Sequence, residues 1–136
     1  MERLSIKADI ASLGEVQSFV DRILEDAGCS MKAQMQIDIA VEELFVNIAH
    51  YAYPSGEGNA TIEVDTDTDT GYVKISFEDQ GIPYNPLEHE DPDVTLSAEE
   101  RKIGGLGIFM VKQSMDDITY EYTDNRNRLT IVKKYN

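Results

Sequence analysis

The stretch ELFVNIAH, residues 43–50, lies late in a helical pattern that runs from about residue 31 to residue 53. Apolar residues recur along this pattern at steps of three and four, which is typical of a helix with one buried face. They are Ile37, Val41, Leu44, Phe45, Ile48 and Ala52. Glu43, Asn47 and His50 form a second line beside that face, because they are spaced at i, i+4 and i+7. Carboxylate and amide oxygens can bind a hard cation such as Mg²⁺, and a carboxylate can also accept a proton in catalysis. The alternative is that this line of residues is only a solvated polar edge of the helix.

The chain has the length and composition of a single domain covering residues 1–136, with 41% hydrophobic and 28% charged residues. Its formal net charge of −14 argues against a direct nucleic-acid partner, because phosphate backbones bind basic surfaces. No apolar run reaches membrane-spanning length and no signal-peptide pattern begins the chain, so we expect a cytoplasmic protein without a membrane partner. Cys29 is the one cysteine, which excludes an internal disulfide, and its context favours a partly buried filler over a nucleophile.

Several residues predict where the first two helices begin and end. Ser12 and Glu15 have the spacing of a capping box, and Gly28 stands where a left-handed helix stop is usual. Ser30 is a candidate cap for the second helix, which we expect Pro54 to end.

The order of patterns along the chain is strand, two helices, two strands, a loop, a helix and two strands. This order differs from the alternation of a parallel βαβ protein. It predicts an α+β fold, a two-layer α/β sandwich whose mixed, mostly antiparallel sheet is covered on one face by helices. Turns are expected at residues 67–71 and 124–127.

Asp79 occupies an unusual position at the end of a strand. Val73, Ile75 and Phe77 share one face of that strand, and the period of two carries the same face on to Asp79. Burying an unpaired carboxylate is costly, so this side chain needs a fixed donor from the protein or from a ligand. The alternative is that Asp79 is only the polar end of the strand.

A long loop and a glycine-rich stretch follow. The acidic segment 87–102 is either a mobile lid or a disordered surface loop. Gly104, Gly105, Leu106 and Gly107 then open a helix, where glycines and the helix dipole let backbone amides approach an anion. A plain glycine-rich turn remains the alternative, since the stretch lacks the lysine of a P-loop.

Three motifs together resemble the nucleotide-binding boxes of the GHKL, or Bergerat-type, ATPases, in the order and spacing of that superfamily. They are Glu43-x-x-x-Asn47-x-x-His50, Asp79-x-Gly81-x-Pro83 and Gly104-Gly105-Leu106-Gly107. Within the superfamily the chain is most similar to the bacterial anti-sigma-factor serine/threonine protein kinases, and the resemblance covers nearly all of it. The closing segment 127–129 also resembles the last strands of that family.

The resemblance implies a role for each matching residue, with ATP and Mg²⁺ as cofactors. Asn47 would hold the Mg²⁺ ion, and Glu43 would be the general base. Asp79 would accept a hydrogen bond from the adenine amine, and Gly81 would let the backbone come close to the base. His50 would either touch the phosphate side or only fix the end of the helix. Backbone amides near Gly105 and Gly107 would bind phosphate, and Arg101 or Lys102 would neutralise its charge. The full nucleotide-binding set is Asn47, His50, Asp79, Gly81, Pro83, Arg101, Lys102, Gly104, Gly105, Leu106 and Gly107.

The resemblance also implies an activity and partners. We expect a Mg-ATP-dependent serine/threonine kinase that phosphorylates a STAS-type anti-sigma-factor antagonist and sequesters a sigma factor. A homodimer is implied, paired through helix 12–27 and the adjoining strand. The alternatives are a nucleotide-responsive protein-binding module without phosphotransfer and a structural domain without affinity for ATP.

Overall fold

A computed structural model describes residues 1–54, 56–88 and 105–135. Five strands and three helices follow one another in these residues, together with short 3-10 turns at Ile10–Ser12 and Pro86–Glu88. In chain order they are β1 (Glu2–Lys7), α1 (Leu13–Asp26), α2 (Met31–Tyr51), β2 (Asn59–Asp67), β3 (Tyr72–Asp79), α3 (Gly105–Ser114), β4 (Asp117–Thr123) and β5 (Arg126–Lys134).

The strands form one sheet in the order β1-β2-β3-β5-β4, and each of these neighbouring pairs is antiparallel. β3 is therefore central, and Val73, Ile75 and Phe77 on its inner face are each 1% exposed. Asp79 continues that face at 5% exposure, as the period of two predicts. The predicted α+β sandwich is confirmed.

The helices cover this inner face of the sheet. Of the described helices, α2 contributes the most buried residues to the core, because its apolar stripe packs against α1 and the strands. Its buried residues are Ala33, Ile37, Ala40, Val41, Leu44 and Phe45. α3 adds Ile108 and Val111 to the same cluster, and Met115 follows directly after its end.

The opposite face of the sheet is polar. Arg128 lies 2.9 Å from Glu78 and 3.5 Å from Glu63, and Ser76 and Thr130 share a hydrogen bond of 3.0 Å between neighbouring strands. Cross-strand polar pairs of this kind fix the register of a half-covered sheet.

Of the four predicted helix signals, the Ser30 cap and the Gly28 stop are confirmed, whereas the Ser12 cap and the end of α2 after Tyr53 are wrong. Ser30 caps α2 by accepting from Ala33 N at 3.2 Å, and Gly28 ends α1 with a φ of 78°. Ser12 makes no side-chain cap, because a 3-10 turn already precedes α1. Asp9 begins that turn by accepting from Ala11 N at 3.1 Å.

α2 ends at Tyr51, two residues before the predicted end. The hydroxyl of Tyr53 donates to the carbonyl oxygen of Asn59 at 2.7 Å and accepts from Gln80 N at 2.8 Å. These two bonds draw the chain toward the sheet before Pro54 is reached.

The last turn is shorter than predicted. Asp124 and Asn125 both have positive φ, at 56° and 63°, and form a two-residue hairpin between β4 and β5. Asn127 is therefore a strand residue, paired across the sheet with Asp79. The predicted lid at 87–102 lies outside the described residues from residue 89 onward. Among the helices that are described, none is both long enough and apolar enough to cross a membrane.

Candidate nucleotide-binding site

Asp79 is held by two donors from the protein itself. Its Oδ1 accepts from Asn127 Nδ2 and from Gly81 N, each at 2.9 Å. Burial raises the pKa of the Asp79 carboxyl, while these two hydrogen bonds act in the opposite direction because they favour the carboxylate. With one oxygen fixed by two donors, the plane and direction of the second oxygen are fixed as well.

Asn127 organises this corner of the site. Its Nδ2 also donates to the carbonyl oxygen of Ile82 at 2.8 Å, and its Oδ1 accepts from Tyr84 N at 3.1 Å and from the Tyr120 hydroxyl. The amide orientation is unambiguous, since a backbone N–H can only donate to the oxygen. The sequence signal that was missed is the two-residue hairpin. When only Asp124 and Asn125 form the turn, Asn127 lies in the strand opposite Asp79.

Asp79 and Asn127 line a small cavity beneath the end of α2. The cavity has a volume of about 40 Å³. Its lining residues are Leu44, Asn47, Ile48, Ala52, Phe77, Asp79, Tyr84, Pro86, Tyr120, Asn127 and Leu129.

Gly81 is packed tightly against the end of α2. A Cβ atom at this position would lie 2.2 Å from the carbonyl oxygen of Ala52, to which Ile82 N donates at 2.9 Å. The glycine therefore lets the chain after β3 join the helix end, and this contact sets one wall of the cavity.

Glu43 and Gly107 are in direct contact, although 64 positions separate them in the sequence. A Cβ atom on Gly107 would lie 2.1 to 2.4 Å from the carboxylate atoms of Glu43. Only glycine lets the carboxylate lie so close to the first turn of α3, which begins at Gly105. A helix N-terminus favours a negative charge, so this contact stabilises the carboxylate.

The chemistry of Glu43 suits a proton acceptor. Burial is the main cause that raises the pKa of its carboxyl, and the neighbouring charge of Glu42 adds to it. A carboxylate whose pKa moves toward neutrality is a better general base. Burial is also the main cause that raises the pKa of Tyr84, which lines the cavity, and the neighbouring Tyr51 and Glu43 add to it.

Asn47 lies one helical turn after Glu43 and faces the cavity. Its Nδ2 is buried without a hydrogen-bond partner among the described residues, so this donor is available to an acceptor on a ligand. The described residues contain no cluster of three His, Cys, Asp or Glu side chains that would hold a metal by themselves. A single amide oxygen nevertheless fits Mg²⁺, which in nucleotide sites takes few protein ligands and completes its shell with phosphate and water.

His50 and Pro83 are not among the residues that line the cavity. His50 is exposed near the end of α2, where its ring meets Tyr51 edge to face at 6.0 Å between centroids. Pro83 lies on an open surface groove near Tyr53 and Tyr122. Three predicted residues, Arg101, Lys102 and Gly104, lie outside the described part of the chain, as does the side chain of Leu106.

Comparison with known proteins establishes the class of this protein. Residues 6–133 match the family described as the histidine kinase-like ATPase domain. The chain belongs to this family, and the predicted GHKL resemblance is confirmed.

Curated relatives match most of the chain. The serine-protein kinase RsbW of Listeria monocytogenes is 31% identical over 136 residues, which cover 98% of this chain and 84% of that protein. The RsbW protein of Listeria innocua is 30% identical over the same shares. The serine/threonine-protein kinase BtrW of Bordetella bronchiseptica is 24% identical over 103 residues, or 76% of this chain and 72% of that protein.

Two solved structures share the fold. The RsbU and RsbW domains of a Mycobacterium tuberculosis protein match with a TM-score of 0.66 at 15% identity, covering 99% of this chain and 33% of that one. The histidine kinase domain of the blue-light-activated kinase of Erythrobacter litoralis EL346 matches with a TM-score of 0.53 at 15% identity, covering 93% and 60%. At these identities the likeness concerns the fold alone.

Proposed function

We propose that this protein is a cytoplasmic, Mg-ATP-dependent serine/threonine protein kinase of the histidine kinase-like ATPase family. The observation that carries the proposal is the shared cavity wall, where Asp79, fixed by Asn127 and Gly81, lies with Asn47. The free oxygen of Asp79 would accept a hydrogen bond from the adenine amine. Serine-protein kinases among the relatives support the choice of protein hydroxyl as acceptor.

The residues divide the reaction between them. Asn47 would hold the Mg²⁺ ion through its amide oxygen, and the bound ion supplies charge neutralisation for the triphosphate. Glu43, one turn away, accepts the proton of the attacking serine or threonine hydroxyl. Amides of the first turn of α3 hold phosphate, since they are the unpaired donors of a helix N-terminus.

The partners follow from the same class of kinase. The protein substrate is a STAS-type antagonist, and the second partner is a sigma factor whose release accompanies the change in the phosphorylation state of the antagonist. The active form is a homodimer that pairs through α1 and β1.

Calorimetric titration of Mg-ATP into the wild type and two variants tests this proposal. Asp79→Asn keeps the oxygen that Asn127 and Gly81 bind but presents an amide donor to the adenine amine, so we expect ATP affinity to fall at least tenfold in a folded protein. Glu43→Ala should keep ATP affinity within about threefold and lose phosphotransfer to a STAS-domain substrate at least a hundredfold. Asp65→Asn, an exposed position on β2, is the matched control.

Each outcome has a distinct meaning. A folded wild type that binds no Mg-ATP overturns the nucleotide site itself. If Glu43→Ala still phosphorylates the substrate, Glu43 is not the base. If no variant or wild type transfers phosphate while ATP changes partner affinity, the protein is a nucleotide-responsive binding module.

A further inference from the structure

α2 presents an apolar stripe to solvent on the side opposite the core. Met31, Met35 and Ile39 follow at i, i+4 and i+8 and are 83%, 62% and 50% exposed. At 1.5 Å per residue the stripe is roughly 12 Å long, about the length that three anchors of a docked helix cover. Flexible methionine side chains are frequent on surfaces that bind other proteins.

An acidic seam between α1 and α2 runs along one flank of this stripe. Asp38, three positions after Met35, faces Asp21 and Glu25 of α1. In the described part of the chain, Oδ1 of Asp21 and Oδ1 of Asp38 are both buried without a hydrogen-bond partner. Buried carboxylate oxygens without a donor are costly, and a cation from outside would satisfy them.

The described residues around this seam supply little positive charge. Arg22 of α1 points to Glu2 at 3.4 Å, and Lys32 is the other cation on the two helices. Burial, a hydrogen bond with Asp21 and the charges of Asp21 and Glu25 raise the pKa of Asp38 to about 7. The carboxyl of Asp38 can therefore release its proton near neutral pH when a cation approaches the seam.

The charges also decide which occupant fits. On this stripe, a second copy of this chain would bring the same carboxylates against each other, in a protein whose net charge is already −14. The proposed homodimer uses a different side of α1, where Arg22 pairs with Glu2 of β1. A helix with apolar residues on one side and lysine or arginine beside them would instead complement both the stripe and the seam. Because Ile39 lies one turn before Glu43, such a helix would also approach the proposed base.

We propose that Met31, Met35 and Ile39, with Asp21, Glu25 and Asp38 beside them, form the docking surface for a basic amphipathic helix of a partner protein. The inference rests on the proposed kinase function for its partner, but the surface is tested apart from nucleotide binding. Glu42, exposed at the end of the stripe, contributes a further negative charge.

Methyl NMR of the protein labelled at methionine Cε reports on this surface directly. The probe is a synthetic helical peptide with leucines at i, i+4 and i+7 and lysines beside them. Its matched control has the same composition in an order that scatters the leucines. We expect the first peptide to shift the Met31 and Met35 signals, while buried Met115 and exposed Met110 of α3 serve as internal references.

Variants separate the apolar contribution from the charge. Met35→Gln and Asp38→Asn should each lower the affinity for the peptide roughly tenfold. Met35→Gln removes an apolar contact that the peptide would bury, and Asp38→Asn removes a charge pair with a lysine of the peptide. Met110→Gln and Asp65→Asn should stay within about twofold of the wild type.

Three results would overturn the docking proposal. The first is an absence of shifts at Met31 and Met35, and the second is equal binding of the scattered peptide, which would make the attraction purely electrostatic. The third is a dependence of these signals on protein concentration without peptide, which would assign the stripe to a second copy. Mg-ATP titrated into Met35→Gln reports on the kinase proposal separately, because this variant leaves Asp79 and Asn47 intact.

Discussion

At the scale of single residues, the site depends on side chains that fix other side chains. Asn127 uses two donated and two accepted hydrogen bonds to connect Asp79, Ile82, Tyr84 and Tyr120. It is a positioning residue, because it aims Asp79 and closes the cavity at the same time. A network in which every member is satisfied is rigid, and it fails when one member changes charge.

Asn127→Asp tests this network while keeping the shape of the side chain. The new carboxyl would lie within 3 Å of Asp79, so one of the two must hold a proton, and its folded pKa rises above its unfolded value. Stability is then present below the unfolded pKa near 4 and is lost as pH rises through the raised pKa. Thermal denaturation should show a melting temperature lower than that of the wild type at pH 8 by roughly 5–10 °C, and a smaller gap at pH 5. An equal gap at both pH values would contradict the close pairing.

Gly107→Ala tests the contact between α3 and Glu43. The added methyl group meets the carboxylate at 2.1 to 2.4 Å and displaces it, so phosphotransfer at saturating Mg-ATP should fall at least tenfold. Gly14→Ala is the matched control, since no atom lies within 4 Å of its added Cβ. In the helix α1 it should stabilise the protein by roughly 0.5–1 kcal/mol without changing activity. A Gly107→Ala enzyme with normal turnover would mean that Glu43 acts from another position.

At the scale of elements, sequence patterns correctly predicted the features that depend on residues close by in the chain. The stripe of α2, the Ser30 cap and the inward face of β3 depend on neighbours a few residues away, and each was found as predicted. The Ser12 cap and the end of α2 were wrong because competing partners, Asp9 and the backbone near Asn59, intervened.

The site was only partly predictable for a related reason. Asp79 stood out because its face of β3 is set by alternation along one strand. Asn127, 48 positions later in the chain, meets it only because a two-residue hairpin lets β5 begin at Arg126 and pair with β3. The contact between Glu43 and Gly107 likewise depends on how α3 packs on α2, which no local pattern encodes.

The seam between α1 and α2 makes stability depend on pH. The pKa of Asp38 is raised to about 7 from an unfolded value of 3.8, so its stabilising effect is present below pH 3.8 and is lost as pH rises from there to about 7. Asp38→Asn removes this loss. Because both side chains are still partly exposed to solvent, screening reduces the effect, and we expect a gain of only about 1 kcal/mol at pH 8.

Thermal denaturation at pH 5 and pH 8 checks this expectation. Asp38→Asn should melt roughly 3–5 °C higher than the wild type at pH 8 and only about 1–2 °C higher at pH 5. Asp65→Asn removes one negative charge from an exposed strand position and controls for net charge. A similar gain in Asp65→Asn would mean that overall repulsion, rather than the seam, is responsible.

At the scale of the whole molecule, the net charge of −14 opposes the approach of a polyanion such as ATP. The described cavity contributes a buried carboxylate and no cationic side chain, so long-range repulsion acts on the nucleotide before local contacts form. Salt screens this repulsion within a Debye length of about 8 Å at physiological ionic strength. We therefore expect association to become faster as salt is added, in contrast to an electrostatically steered ligand.

Stopped-flow binding of a fluorescent ATP analogue measures this effect. Between roughly 20 and 200 mM NaCl at constant Mg²⁺, the association rate constant should rise about two- to fivefold. The same fluorophore on uncharged adenosine should associate at a rate that is independent of salt, because it shares the adenine contacts and lacks the phosphates. A rate that falls with salt would show that positive charge close to the phosphates, for which Arg101 and Lys102 are the candidates, outweighs the charge of the rest of the molecule.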